Sequence, residues 1–340
     1  MTGFRIKRSG EALILVVLAM LALAAQPCAG ADKVRIGLLR APSGGAVYIA
    51  KEKGYFSTEG IDGEPVFFET AQPIALAVMS GDIDFATSGV TVALYGMAGQ
   101  GAMRIVGAYI REMPTFHSAG FFASNAAYAA GLRSFKDFPG HSVALPAIGS
   151  PPHYELALIV EKYGFDLKSM RLMQLQTNAN QVPAVVGGTA DLGVIQITAV
   201  TAALQHGDVK LIGWTGDETP WQLGAVFTAT RTANERGQLV ERFLRAYRIG
   251  VRDYHDAFTA SDGKRRDGPT AEATLTILGK YVPQTRDQLA LGVAYYDAEA
   301  RLDVKDILHQ IAWYKSQGML KPEVDGNTIV DKRYVTPMPE

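Results

Sequence analysis

The chain of 340 residues carries 33 lysines and arginines against 34 aspartates and glutamates, a net charge of −1, and 48% of its residues are apolar. That balance excludes a nucleic-acid binder, which needs a basic stripe to meet phosphate. The single cysteine, Cys28, excludes a disulfide scaffold, and the length and apolar content suit two domains or lobes better than one.

The N-terminus reads as an export signal. Arg5, Lys7 and Arg8 precede a short apolar run, Leu13 to Ala25, and Ala29 and Ala31 form a small-x-small cleavage site. The run is too short for a membrane span. Gln26 and Pro27 stand where a lipoprotein would place small residues before Cys28. Cleavage after Ala31 is therefore expected, leaving residues 32–340 as a free periplasmic protein. It removes three cations and one carboxylate, so the mature net charge is −3.

From there strands and helices alternate. Val34–Leu39 reads as a strand and Ala46–Lys53 as a helix, with Ser43-Gly44-Gly45 in the loop between them. Pro65–Glu69 is a strand and Gln72–Met79 a helix. Asp84–Thr87 is a strand, Val92–Gly99 a helix and Arg104–Tyr109 a strand. Such alternation predicts a mostly parallel sheet covered by helices on both faces.

The order then begins again. "HSVALPAIGSPPHYELALIVEKYGF" repeats the strand, small-residue loop and helix of the opening. "VMSGDIDFATSGVTVALYGMAGQGAMRIVGA" is echoed by "VVGGTADLGVIQITAVTAALQHGDVKLIGW". Ser43 and Ser150, Gly81 and Gly188, Asp84 and Asp191, and Thr91 and Thr198 are each 107 positions apart. Two α/β lobes of one topology follow. After Trp214 the chain becomes helical, and these helices are expected on the first lobe, so the chain crosses between lobes twice, near Phe121–Asn125 and near Gly213–Trp221. The lobes are then residues 32–122 with 214–340, and residues 123–213.

Ligands of open α/β sheets sit beyond the carboxyl ends of the strands, where helices begin and their N–H groups favour an anion. Two facing lobes make a cleft. Ser43 and Gly44 are expected on one wall; Gly149, Ser150 and His153 on the other, with Pro152 suited to a first helical turn. The second elements add Ser88, Thr91, Gln196 and Thr198. Gln72 starts its own helix, Arg40 ends the first strand as a candidate counter-ion, and Tyr48, Trp214 and Trp221 are aromatic candidates for an organic tail. Each has a plainer reading. Ser43 and Ser150 could be helix caps, Gln196 a loop amide, His153 a solvated ring and Arg40 a surface ion pair. Tyr48, Gln72, Trp214 and Trp221 could be packing residues. Asp84 and Asp191 read as structural, holding the turn into a strand. His117, His141, His206, His255 and His309 show no metal-ligand spacing.

The segments "AKEKGYFSTEGID", "MSGDIDFATSG", "SFKDFPGHSVALP" and "VVGGTADLGVI" resemble periplasmic solute-binding proteins of ABC importers. The branch is the nitrate, sulfonate and taurine type, similar to thiamine-pyrimidine precursor binders. The resemblance covers Val34 to about Val335. It implies a type II periplasmic binding fold, two Rossmann-like lobes on a two-strand hinge, a monomer that closes on a small solute, and delivery to a membrane permease. It implies no cofactor. A sulfonate or carboxylate is the expected ligand, with a neutral heterocycle as the alternative. The eukaryotic thiamine-pyrimidine synthases share the fold but bind iron with help from a cysteine-rich stretch, which this sequence lacks, and no nucleophile–base pair stands out. A binding protein is therefore expected rather than an enzyme, and a sensor that signals through a membrane receptor is a further alternative.

Overall fold

The computed structural model describes residues 30–339; the expected leader lies outside them except for its last two positions. Asp32–Leu39 (β1), Ile61–Phe68 (β2), Phe85–Gly89 (β3) and Met103–Ala108 (β4) alternate with helices Gly45–Glu52 (α1), Ala71–Ser80 (α2) and Val92–Gly99 (α3). Two short strands follow, Arg111–Glu112 (β5) and Ala119–Ser124 (β6). The alternation then resumes with Ser142–Leu145 (β7), Pro151–Tyr163 (α4), Arg171–Gln174 (β8), Asn178–Val186 (α5), Leu192–Gln196 (β9), Ile197–His206 (α6) and Val209–Gly213 (β10). Trp221–Gln222 (β11) and Gly224–Ala229 (β12) lead into the C-terminal helices, among them Gly237–Phe258 (α7), Ala271–Gly279 (α8), Arg286–Leu291 (α9) and Val304–Ser316 (α10).

The strands form two five-stranded sheets, β2-β1-β3-β12-β4 and β10-β6-β9-β7-β8. Every residue of β3 is buried, as a strand covered by helices on both faces requires. β1 runs parallel to β3, and β7 parallel to β8 and β9. Neither sheet is wholly parallel. β12 runs antiparallel to β3 and β4, with Val226 opposite both Thr87 and Gly107. β6 runs antiparallel to β9 and β10, with Phe122 opposite Gly193 and Leu211.

The first expected crossing is thereby corrected. Phe121 sits in the middle of β6, so a lobe boundary after residue 122 would cut a strand of the second sheet, and the passage between sheets lies at 109–118. The run Ala119–Ser124 is short, apolar and buried on both faces, so neither alternation nor helical spacing marks it. The second passage occupies 214–223. α7 packs on α1 and α8. α10 does more: Tyr154 of α4 donates to Asp306 at 3.1 Å, and its ring packs on Trp313 and Tyr314.

The passages are joined where β5 and β11 pair antiparallel, Trp221 opposite Glu112 and Gln222 opposite Arg111. Gln222 ties this two-strand hinge together. Its buried side-chain amide donates to the carbonyls of Ile110 (3.2 Å) and Gly224 (2.7 Å) and accepts from the Asp303 N–H at 3.1 Å. Its backbone N–H donates to Asp306 Oδ2 at 2.9 Å, and its carbonyl accepts from Gln310 at 2.7 Å.

The repeat also has a structural signature. The Asp84 carboxylate accepts the Arg35 N–H at 2.8 Å, and Asp191, 107 positions on, accepts the Ser142 N–H at 2.7 Å. Arg35 and Ser142 are themselves 107 apart. Each carboxylate thus satisfies the neighbouring parallel strand. Burial raises the Asp191 pKa, but bonds from the Ser142 N–H and hydroxyl, and His141, outweigh it and hold the group below its ordinary value.

Replacing Gln222 with methionine strands buried partners on both passages. Unsatisfied buried groups cost about 1–3 kcal/mol each, so chemical denaturation should show a loss of about 3 kcal/mol or more. The Asp191 clamp predicts an acid limb. A carboxylate with a depressed pKa contributes stability above its unfolded value of about 3.9 and loses it as pH falls. Unfolding followed from pH 5 downward should show a shallower loss in Asp191→Asn than in the wild type.

Candidate binding cleft

The first loop is shaped from beneath. Pro42–Gly44 makes one 3-10 turn before α1. Gly44 has φ −71°, which any residue adopts; its lack of a side chain matters because a Cβ would sit 2.6 Å from the Tyr48 ring and 2.8 Å from Leu38. Gly44 therefore makes room for the protein's own tyrosine. Tyr48 is buried and stacks on Tyr281 with centroids 4.4 Å apart. From above, Tyr296 donates to the Ser43 carbonyl at 2.5 Å.

The second loop depends on a true left-handed residue. Gly149 has φ +78°, a conformation that costs glycine little. Its N–H donates to Nδ1 of His153 at 3.1 Å, and the Ser150 hydroxyl donates to the Ala147 carbonyl at 2.7 Å. His153 is buried, with no partner for Nε2, and burial lowers its pKa to about 4. The imidazole is therefore neutral and acts as an acceptor at Nδ1. Thr91 caps α3, its Oγ1 accepting the Leu94 N–H at 3.1 Å.

The lobes meet through these loops in two places. The Val92 N–H, at the start of α3, donates to the Gly149 carbonyl at 2.9 Å, and Gln72 donates to the Ile148 carbonyl at 3.4 Å. Beside this contact Gly89 faces Pro151; a Cβ on Gly89 would lie 2.7 Å from Pro151 Cγ. At the other place Gly292, just after α9, lies between Pro42 and Thr198; a Cβ there would be 2.9 Å from Pro42 Cγ and 2.8 Å from Thr198 Cγ2. Pro42 and Gly149 are 107 apart, as are Thr91 and Thr198. The two contacts thus fall at positions matched by the repeat: the Gly149 loop meets the start of α3 directly, whereas the start of α6 meets Gly292, which also lies against Pro42. Ser43 and Ser150, expected to face each other, belong to different contacts.

The other candidates scatter. Ser88 is buried at the end of β3 with no partner for its hydroxyl, as is Thr87. Gln196 is exposed and accepts from Asn178 at 3.3 Å. Arg40 is exposed, with its guanidinium 3.9 Å over the Phe67 ring and a bond to the Tyr281 carbonyl, so it is held at the surface and not at an interlobe contact. Trp221 is fully buried in the hinge against Tyr154. Trp214 stacks on His117 with centroids 4.5 Å apart and borders an open depression of about 480 Å³ beside Arg133 and Lys136. Sequence reasoning placed Pro151 in the second loop but missed Gly89, Val92 and Gly292; the first two of these adjoin predicted residues, and Gly292 lies in a stretch with no motif. Among the described residues no group of three or more metal-ligating side chains gathers, and no helix is long and apolar enough to cross a membrane.

A family model described as NMT1/THI5 like matches residues 42–257, from the first loop through both passages into α7. The chain belongs to the NMT1/THI5-like family. No curated protein matches the sequence. Among solved structures, this NMT1/THI5-like chain is similar to the periplasmic aliphatic sulphonate binding protein SsuA of Escherichia coli. The TM-score is 0.70 at 17% identity, over 91% of this chain and 94% of that one. It is similar to the alkanesulfonate-binding SsuA of Xanthomonas axonopodis pv. citri bound to MOPS, with TM-score 0.69 at 18% identity over 89% and 99%. The same fold carries an enzyme, the desulfurization enzyme DSZB, with TM-score 0.63 at 13% identity over 90% and 96%. The fold is that of periplasmic binding proteins.

The glycines at the contacts predict how closure fails. Gly89→Val and Gly292→Val should each keep their far-UV spectrum yet hold the lobes apart, giving a larger radius of gyration in X-ray scattering. Overpacking of this kind costs about 1–3 kcal/mol. Scattering curves superimposable on the wild type would show that these contacts do not limit closure.

Proposed function

We propose that the protein is the extracytoplasmic solute-binding component of an ABC importer, and that it captures an organic sulfonate or carboxylate between its lobes. The observation that carries this reading is the pair of repeat-equivalent contacts, which puts the starts of four helices, α1, α3, α4 and α6, along one seam. No ionised side chain takes part in these contacts, so an anion would be held by backbone N–H groups and hydroxyls. Ser88 Oγ and His153 Nε2, buried without partners in residues adjoining the seam, are polar groups a ligand would satisfy. Ser43, Gln72, Thr91, Gly149, Ser150, Gln196 and Thr198 are the proposed lining. Family membership, and a fold shared with sulfonate-binding proteins, support the class of ligand. In this reading the protein acts as a monomer, needs no cofactor, and hands its solute to a membrane permease without altering it.

The test is a thermal-shift and calorimetric panel of alkanesulfonates including MOPS, aliphatic and aromatic carboxylates, nitrate and aminopyrimidines. A true ligand at 100-fold over Kd should stabilise the protein by about 2.7 kcal/mol and compact it in solution scattering, and mass spectrometry should recover it unchanged. Binding confined to aminopyrimidines would replace the anion by a neutral heterocycle. Recovery of a desulfonated or otherwise converted product would make the protein an enzyme.

A further inference from the structure

Glu112 lies in β5, opposite Trp221 in the two-strand hinge, and is only 1% exposed. Its Oε1 accepts the Ser118 hydroxyl at 2.5 Å, and its Oε2 has no partner. Glu155 of α4, in the second lobe, is equally buried at 1%, and its Oε1 accepts the Thr215 hydroxyl at 2.6 Å. Ser118 ends the first passage and Thr215 begins the second, so each carboxyl is held by a different passage. The two passages that hold them pack closely here: a Cβ on Gly216, next to Thr215, would sit 2.9 Å from the backbone nitrogen of Met113, next to Glu112.

No lysine, arginine or histidine among the described residues forms an ion pair with either carboxyl. Arg111 turns its guanidinium to Asp303 at 2.9 Å. His117 pairs with Asp217 at 2.8 Å, and Lys162 pairs with Glu218 at 2.6 Å. Elsewhere on α4, Tyr154 bonds Asp306 and His309, and His309 lies 3.4 Å from Glu161. Apart from Glu155, the charge that acts on Glu112 is the carboxylate of Asp217, which is of the same sign. Two buried carboxylates in one site cannot both ionise without strong repulsion. A protonated carboxyl would instead present an O–H and give the unpartnered Oε2 a bonding role.

We propose that Glu112 and Glu155 share a proton across the hinge, and that its release loosens the joint between the second lobe and the passages, so that closure is tighter at acidic than at alkaline pH. Burial, then the neighbouring carboxyl, lifts Glu112 well above its ordinary value. Burial pushes Glu155 up to about 7 against the Thr215 bond. The sign follows from linkage. The packed hinge holds the proton more tightly than an exposed glutamate, whose pKa is about 4.3. Its stabilisation is complete below that value and is lost as pH rises through about 7. This holds whatever ligand the cleft takes.

Hydrogen exchange of the Gln222 and Gly224 amides, corrected for intrinsic rate, reads the joint directly in the unliganded protein. Between about pH 4.5 and 7 wild-type protection should fall by up to about tenfold per pH unit, one proton being released on opening, and level off above that range. Glu155→Gln, whose amide carbonyl keeps the Thr215 bond without a titrating proton, should flatten that dependence, and Glu112→Gln should do the same. Identical profiles in wild type and Glu155→Gln would overturn the proposal. Should the variants fail to fold, carbon-13 titration of the wild-type glutamate carboxyls decides. A resonance with its midpoint well above 4.3 supports the shared proton, and ordinary midpoints for both Glu112 and Glu155 overturn it.

Discussion

The amide of Gln222 is the point at which the two passages between the sheets are tied together. Each of its side-chain groups is committed: both donor hydrogens to the carbonyls that flank the passages, the oxygen to Asp303 at the start of α10. A side chain so bound cannot follow one passage while the other moves. The two strands of the hinge therefore act as one ribbon, and α10 is anchored to it. Because α10 also receives Tyr154 and the Ser150 carbonyl from the second lobe, the latter through Tyr314 at 3.3 Å, the helix spans the seam rather than merely covering the first lobe.

The seam itself shows how a repeated topology brings matched loops and helix starts of the two lobes near one another without a repeated motif. Each lobe offers a loop and a helix start, and the lobes meet with these in crossed order. The hydroxyls that most invite a ligand reading are partly occupied by the protein: Thr91 closes α3 and Ser150 closes its own loop. What is left open is backbone and a few buried atoms without partners, Ser88 Oγ and His153 Nε2 among them.

The sequence made the repeat legible because the repeat has a local chemical cause. Asp84 and Asp191 recur at one spacing since each must hold the amide of the strand beside it, and that need lies within a few residues of a turn. The antiparallel strands β6 and β12 were not legible. Their partners are set by where the passages deliver them, and a short, mostly apolar run buried on both faces carries no period. The same limit applied to side chains. Arg40 and Tyr48 stand at the right strand end and helix turn, but Phe67 and Tyr281, distant in sequence, draw them away. The Gly44 signal was real and its cause local: it accommodates Tyr48 one helical turn on. Glu112 and Glu155 gave no sign at all, since a glutamate among apolar residues is unremarkable until the fold buries two together.

The position of β12 has a consequence for how the chain is made. β4 pairs with β12 in the first sheet, and β12 is separated from it by the whole of the second lobe. As the polypeptide emerges from N-terminus to C-terminus, Met103–Ala108 must wait without its neighbour until residue 229 has appeared. The second sheet, drawn entirely from residues 119–213, has all its strands by then. The later lobe in the sequence is thus the first able to complete its sheet, and an early fragment ending near residue 118 exposes an apolar edge that only the returning chain can cover.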